Sequence, residues 1–229
     1  VSLEEASFTT IAAIAMQGVR QSANSVGENV VVIGLGLIGL ITLKILEASG
    51  CNAFRIDIDK NAVKKGQSLG LNCFNRKDAR INQKLMDLSN SNGVDSVIIT
   101  AATKSNDPIE FSSNIIRDKG NITIVGDVKT DLPRKTFYHK ELSLNFSRSY
   151  GPGRYDSQYE DKGQDYPIGF VRWTENRNMS SVLNLLSLKK MTLKDLEYSK
   201  IPFTDSPKYY EKLSTGQIDT PLVLVYDKN

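Results

Sequence analysis

The chain has 229 residues, 40% of them apolar and 24% charged, with a formal net charge of +3. That is the profile of a folded globular protein, with room for one large domain or one domain and part of a second; so small and scattered a charge excludes a nucleic-acid footprint. Two cysteines and one histidine give neither a disulfide framework nor a metal-ligand spacing, so a reducing cytoplasm is expected.

Residues 1–21 read as a helix. Ser2 can cap it, with Glu5 three residues later as a capping-box partner. Ala6, Ala12, Ala13 and Ala15 allow close packing. The apolar stretch 11–16 is no signal segment, because Glu4 and Glu5 stand where lysine or arginine is needed. Residues 30–46 are the most apolar stretch of all. Three glycines and Lys44 interrupt them, and the run is short for a membrane span, so no membrane contact is expected.

That stretch carries the main motif. Residues 30–33 are a β-branched strand, followed at once by Gly34-Leu35-Gly36-Leu37-Ile38-Gly39. Residues 40–48 read as a helix stopped by Gly50, and 52–56 as a second strand ending at Asp57. Each part suits a dinucleotide. Gly34 permits a tight turn, Gly36 admits a pyrophosphate close to the backbone, and Gly39 lets helix and strand pack closely. The helix N-terminus offers unpaired N–H groups to phosphate. Asp57 can accept hydrogen bonds from the adenosine ribose and would repel a 2′-phosphate, which favours NAD over NADP. Arg55, two residues earlier on the same strand face, either softens that preference or lies solvated at the strand end. Asp59 and Lys60 read as solvated helix-start residues.

Onward, helix 60–69 ends at Gly70 and a short strand spans 72–75. Helix 78–90 repeats Ile81, Leu85 and Leu88. Strand 94–100 is almost continuously apolar, as a strand covered on both faces should be. Pro108 opens a helix to residue 117. Strand 122–125 is closed by Gly126-Asp127, and the alternating run 141–147 suits a sixth, edge strand. Loop 151–178 is long and rich in arginine and aromatics, so it is either functional or packed on its own rings. Helix 179–188, strand 198–201, helix 206–213 and strand 221–226 complete the chain. The fold class is therefore α/β, a Rossmann-type doubly wound parallel sheet of about six strands. Ligands bind such sheets at the C-terminal strand ends. His139 precedes the edge strand, at the wrong end of the sheet for that, and reads as structural. Cys51 and Cys73 read as packing residues.

The order of motifs resembles the medium-chain dehydrogenases, the zinc-type alcohol and threonine dehydrogenase superfamily. The resemblance runs over nearly the whole chain. It rests on the opening helix, Gly27-Glu28 before the first strand, the glycine turn 34–39, Asp57-Ile58-Asp59 and Gly93-Val94-Asp95. Near the end it adds Ile201-Pro202-Phe203 and Tyr210-Glu211-Lys212-Leu213. The stretches 101–106 and 147–155 more specifically resemble bacterial bi-domain oxidoreductases linked to surface polysaccharide synthesis.

The resemblance implies an NAD(P)-dependent oxidoreductase acting on an alcohol or ketone, with residues 1–149 as the cofactor domain and 150–229 returning to a catalytic domain not contained here. This chain alone is then expected to bind NAD, less readily NADP, and not to turn over. The resemblance further places Ala101, Ala102 and Gly126 on the adenine and nicotinamide path, close packing of the strand-end loops being the alternative; Ile58, beside Asp57, is a further cofactor-binding candidate. Arg148 either reaches the pyrophosphate from the sixth strand, since arginine offers paired donors to phosphate, or forms a surface salt bridge. It assigns no catalytic residue here. A metal ligand that many zinc-type members supply from the opening helix falls near Thr9. Threonine is a poor zinc ligand, so either the full protein lacks catalytic zinc or another residue serves, with Glu4 and Glu5 as candidates; no metal ligand is assigned. A small-molecule substrate and a homodimer joined through the edge strand are the expected partners. The competing reading is a non-enzymatic NAD-sensing or dimerisation domain.

Overall fold

A computed structural model describes residues 1–68 and 70–226 of the chain. Six parallel strands form one sheet in the order β3-β2-β1-β4-β5-β6. They are β1 (Asn29–Ile33), β2 (Asn52–Asp57), β3 (Cys73–Asn75), β4 (Val94–Ile99), β5 (Ile116–Ile124) and β6 (Ser143–Phe146). The order reverses between β1 and β4, so a crevice opens beyond their C-terminal ends. Register places those ends level: Ile33 pairs with Ile56 on one side and Ile99 on the other.

The sheet is covered on both faces, which is why its central strands are apolar throughout. Val31 and Ile33 of β1 point into a core shared with α5 (Ile81–Leu88) and α6 (Asp107–Ile115). Val30 and Val32 point the other way, against α3 (Leu37–Ala48). Beyond α3, α2 (Thr9–Ser22) and α9 (Glu175–Ser187) build a third core with Met191, Leu193, Leu196 and Val223. Chain before and after residue 150 thus shares one buried surface. Full burial of each Val, Leu or Ile there stabilises by roughly 1.5–3 kcal/mol. The end of the chain adds a separate parallel pair, β7 (Ser199–Pro202) and β8 (Leu222–Val225), flanking α10 (Ser206–Ser214).

Several expected elements are redrawn. The opening helix is two, α1 (Leu3–Ala6) and α2. The Thr9 hydroxyl donates to the Ala6 carbonyl at 2.6 Å and the Ser7 hydroxyl to Glu4 at 2.7 Å, local bonds that compete with the helix ladder. Phe8 is buried between them, edge-on to Tyr198 at 5.4 Å. Ser2 does cap α1, accepting from the Glu5 N–H at 3.2 Å. The end expected for helix 60–69 lies outside the described residues; α4 spans Lys60–Ser68.

Arg117, expected on a helix, lies in β5, where a bulge between Val94 and Ser96 accommodates the excursion around Lys119 (φ 58°). Helix α7 (Arg134–Lys140) has no expected counterpart: it buries no residue and so carries no apolar period. It leaves His139 exposed. Loop 151–178 contains a short helix, α8 (Ser157–Glu160), and the first turn of α9, which begins at Glu175 behind a Thr174 cap. Part of the loop packs on its own aromatics, while Phe170 is left 90% exposed. Tyr159 stacks on Tyr166 at 5.5 Å, and Arg20 and Arg172 lie 3.2 and 3.7 Å from the Trp173 ring centroid.

Candidate functional site

The glycine turn occupies the crevice between β1 and β4. Gly34 has φ +107°, a conformation open to glycine and strained for other residues, and its N–H donates to Ile56 across the sheet. A Cβ on Gly39 would collide with the Gly34 carbonyl, so glycine there sets how closely α3 approaches β1. Gly36 differs: nothing lies within 4 Å of where its Cβ would be. It is the N-cap of α3, and no side chain caps that end. The first-turn N–H groups of α3, Leu37, Ile38 and Gly39 among them, therefore have no side-chain cap, and the space beside Gly36 at their head is open, as a phosphate site requires, while Gly39 itself is buried.

A cavity of about 550 Å³ adjoins the turn. Gly34, Leu35, Gly36, Asp57, Ile58, Ala101 and Ala102, all expected here, line it together. Asp57 is partly buried. Its Oδ2 accepts the Leu35 N–H at 2.6 Å and its Oδ1 the Asp59 N–H at 2.8 Å. Asp59 is thereby tied to Asp57 as well as exposed. Thr100 braces the base of the turn, its hydroxyl donating to the Ile33 and Gly34 carbonyls at 3.0 and 3.2 Å. Leu37 lines a second, neighbouring cavity with Gly36 and Lys65. Gly126 lies behind the first one, where a Cβ would strike the Ala101 carbonyl. Arg148 lies outside it, donating to the Arg154 carbonyl at 2.8 Å.

Two features go beyond the sequence reading. Arg76 and Asp107, absent from the expected set, also line the cavity. No local pattern links residues so far apart. Arg55 is corrected: it is neither solvated nor in the cavity, but fully buried. Its Nη2 donates to the Leu40 carbonyl at 3.4 Å, while Nε and Nη1 have no partner. Burial pushes its guanidinium below the ordinary range, offset in part by the neighbouring Cys73. Sharing a strand face with Asp57 says nothing of depth, and helices cover that face at Arg55.

A model of the zinc-binding dehydrogenase family matches residues 38–161. The chain belongs to that family. It is the cofactor-binding domain of a medium-chain, zinc-type dehydrogenase. D-guloside 3-dehydrogenase of Escherichia coli K12 is 26% identical over 212 residues, which are 87% of this chain and 54% of that protein. The chain thus spans about half the length of the curated relatives it matches. Among solved structures, alcohol dehydrogenase TADH from Thermus sp. ATN1 superposes with a TM-score of 0.74 at 19% identity, over 99% of this chain and 61% of that one. The 2R,3R-butanediol dehydrogenase of Bacillus subtilis gives 0.74 at 18%, over 100% and 59%. At such identities the superpositions establish the fold.

The family's zinc finds no fitting donor set among the described residues of this domain. Among the described residues, no three His, Cys, Asp or Glu side chains converge to hold a metal. The Thr9 hydroxyl is turned to the Ala6 carbonyl. Glu4 pairs with Lys200, and Glu5 accepts from the Leu193 N–H at 3.2 Å. Nor does any helix here have the length and apolarity to cross a membrane, again among the described residues.

Proposed function

We propose that this chain binds NAD(H), in preference to NADP(H), with the pyrophosphate over Gly36 and the N-terminus of α3 and the adenosine in the cavity beside Asp57. The observation that carries this reading is the convergence of an uncapped helix N-terminus, open space at Gly36 and a carboxylate on one cleft. When bound, the nicotinamide supplies the hydride chemistry. The residues of this chain bind and orient it. In the longer protein the reaction is hydride transfer between nicotinamide and an alcohol or ketone; the name of the D-guloside 3-dehydrogenase relative supports a hydroxyl on a sugar. The chain by itself is expected to bind cofactor without dehydrogenase turnover.

The test is a titration with NADH and, separately, NADPH, followed by nicotinamide fluorescence. Saturable NADH binding, tighter than NADPH, is the expected result. Tighter NADPH overturns the preference, and binding of neither overturns the reading. As for assembly, β6 is an edge strand with Phe146 63% exposed, which supports pairing with β6 of a second copy across a two-fold axis. A monomeric mass by sedimentation would refute that.

A further inference from the structure

Arg76 follows β3 directly, and its N–H donates to the Asp57 carbonyl at 2.8 Å. Its backbone is thus fixed beside the carboxylate proposed to receive the ribose. Its guanidinium does not face that carboxylate as a free cation. Nε and Nη2 donate to Asp107 Oδ2 and Oδ1 at 3.0 and 2.6 Å, a two-point ion pair. Its central carbon lies 4.1 Å from the ring centroid of Phe111, which is buried. One face of the plane therefore rests on Phe111. Arg76 also lines the cavity with Asp57 and Ile58, and the face opposite Phe111 is the one that this ring does not cover.

Two consequences follow from this geometry. A guanidinium is flat and stacks on aromatic rings, so its open face offers a platform of the right shape for a purine. Held at two points by a carboxylate, it has two of its five N–H donors engaged and a negative charge set beside its own. An arginine near the ribose is otherwise the group that accommodates a 2′-phosphate.

We propose that Arg76 is the wall on which the adenine of the cofactor stacks, and that Asp107 is the positioning residue that holds it flat and withholds it from a 2′-phosphate. The proposal rests on the NAD reading above. Asp107 thereby enforces the preference that Asp57 sets.

The experiment titrates the whole chain and its variants with ADP-ribose, NADH and NADPH, with thermal midpoints recorded for each. D107N removes the charge and keeps the shape. It is expected to tighten NADPH by about tenfold while leaving NADH equal or weaker. D107E, which can rebuild the pair, should keep the wild-type ratio. R76A and R76K should each weaken ADP-ribose by about tenfold, because lysine retains the charge and loses the plane. A purely structural ion pair would instead make D107N shift NADH and NADPH by the same factor, and that result overturns the proposal. So does R76K binding ADP-ribose like wild type. If the wild-type chain binds none of the three nucleotides, the NAD reading itself fails, and the proposal with it.

Discussion

Asp57 Oδ2 accepts the Leu35 N–H at 2.6 Å, so the acid at the end of β2 holds the second residue of the glycine turn that ends β1. One carboxylate shapes the glycine turn and, with lone pairs to spare, lines the cavity proposed for the adenosine ribose. Asp57→Ala removes both contributions. We expect NADH affinity to fall by about tenfold or more. The gap between NADH and NADPH should narrow, because the 2′-phosphate no longer meets a negative charge. Parallel fluorescence titrations check this. An unchanged NADH affinity would show that Asp57 serves the turn alone.

The glycines at 36 and 39 should separate binding from folding. Gly39→Ala forces a methyl group against the Gly34 carbonyl and the Thr100 hydroxyl. Overpacking of this kind costs about 1–3 kcal/mol, read as a lower urea midpoint. Gly36→Ala meets no protein atom within 4 Å. It should leave the urea midpoint near wild type and lose most of the NADH binding, since its methyl group would occupy the open space proposed for the pyrophosphate. Equal destabilisation by both variants would mean that Gly36, too, serves only the fold.

What was legible in the chain is what depends on near neighbours. The β-branched run before Gly34, the steric need for glycine at 34 and 39, and the acid ending β2 all follow from local geometry and periodicity. The break at Phe8 is local as well, but it turns on hydroxyls of Ser7 and Thr9 choosing carbonyls over solvent, which composition does not decide. Arg76 and Asp107 meet only because the topology brings the end of β3 to the start of α6. Arg55 shows the limit most sharply. Strand alternation put it on the correct face, and only the packing of helices over that face shows that it is buried.

Arg55 itself makes a stability prediction. A fully buried guanidinium with one long hydrogen bond and two unpartnered nitrogens is a poorly compensated charge. Arg55→Met keeps a long, flexible side chain and removes that charge. We expect a gain of about 1 kcal/mol or more, seen as a higher urea midpoint, with NADH affinity unchanged because the side chain lies outside the cavity. Loss of stability would show that the Leu40 contact outweighs the buried charge.

Asn178 should be among the least replaceable polar residues of the C-terminal segment. It is fully buried, and its amide nitrogen donates to Gln17 Oε1 and to the Tyr150 carbonyl, each at 3.0 Å. Its oxygen accepts Arg20 Nε at 2.7 Å. One side chain thus ties α2, the turn after β6 and α9 together. Asn178→Ala leaves the buried Gln17 amide and the half-buried Tyr150 carbonyl and Arg20 Nε without this partner, at about 1–3 kcal/mol for each buried group left unpaired. It also frees Arg20 from its seat over Trp173, the chain's single tryptophan. We expect a clearly lower urea midpoint together with altered native-state Trp173 emission, while the glycine turn, to which Asn178 makes no hydrogen bond, keeps its NADH affinity in the fraction that remains folded. Wild-type stability with wild-type emission would show that water replaces the asparagine without penalty and that the segment after β6 is held by its apolar core alone.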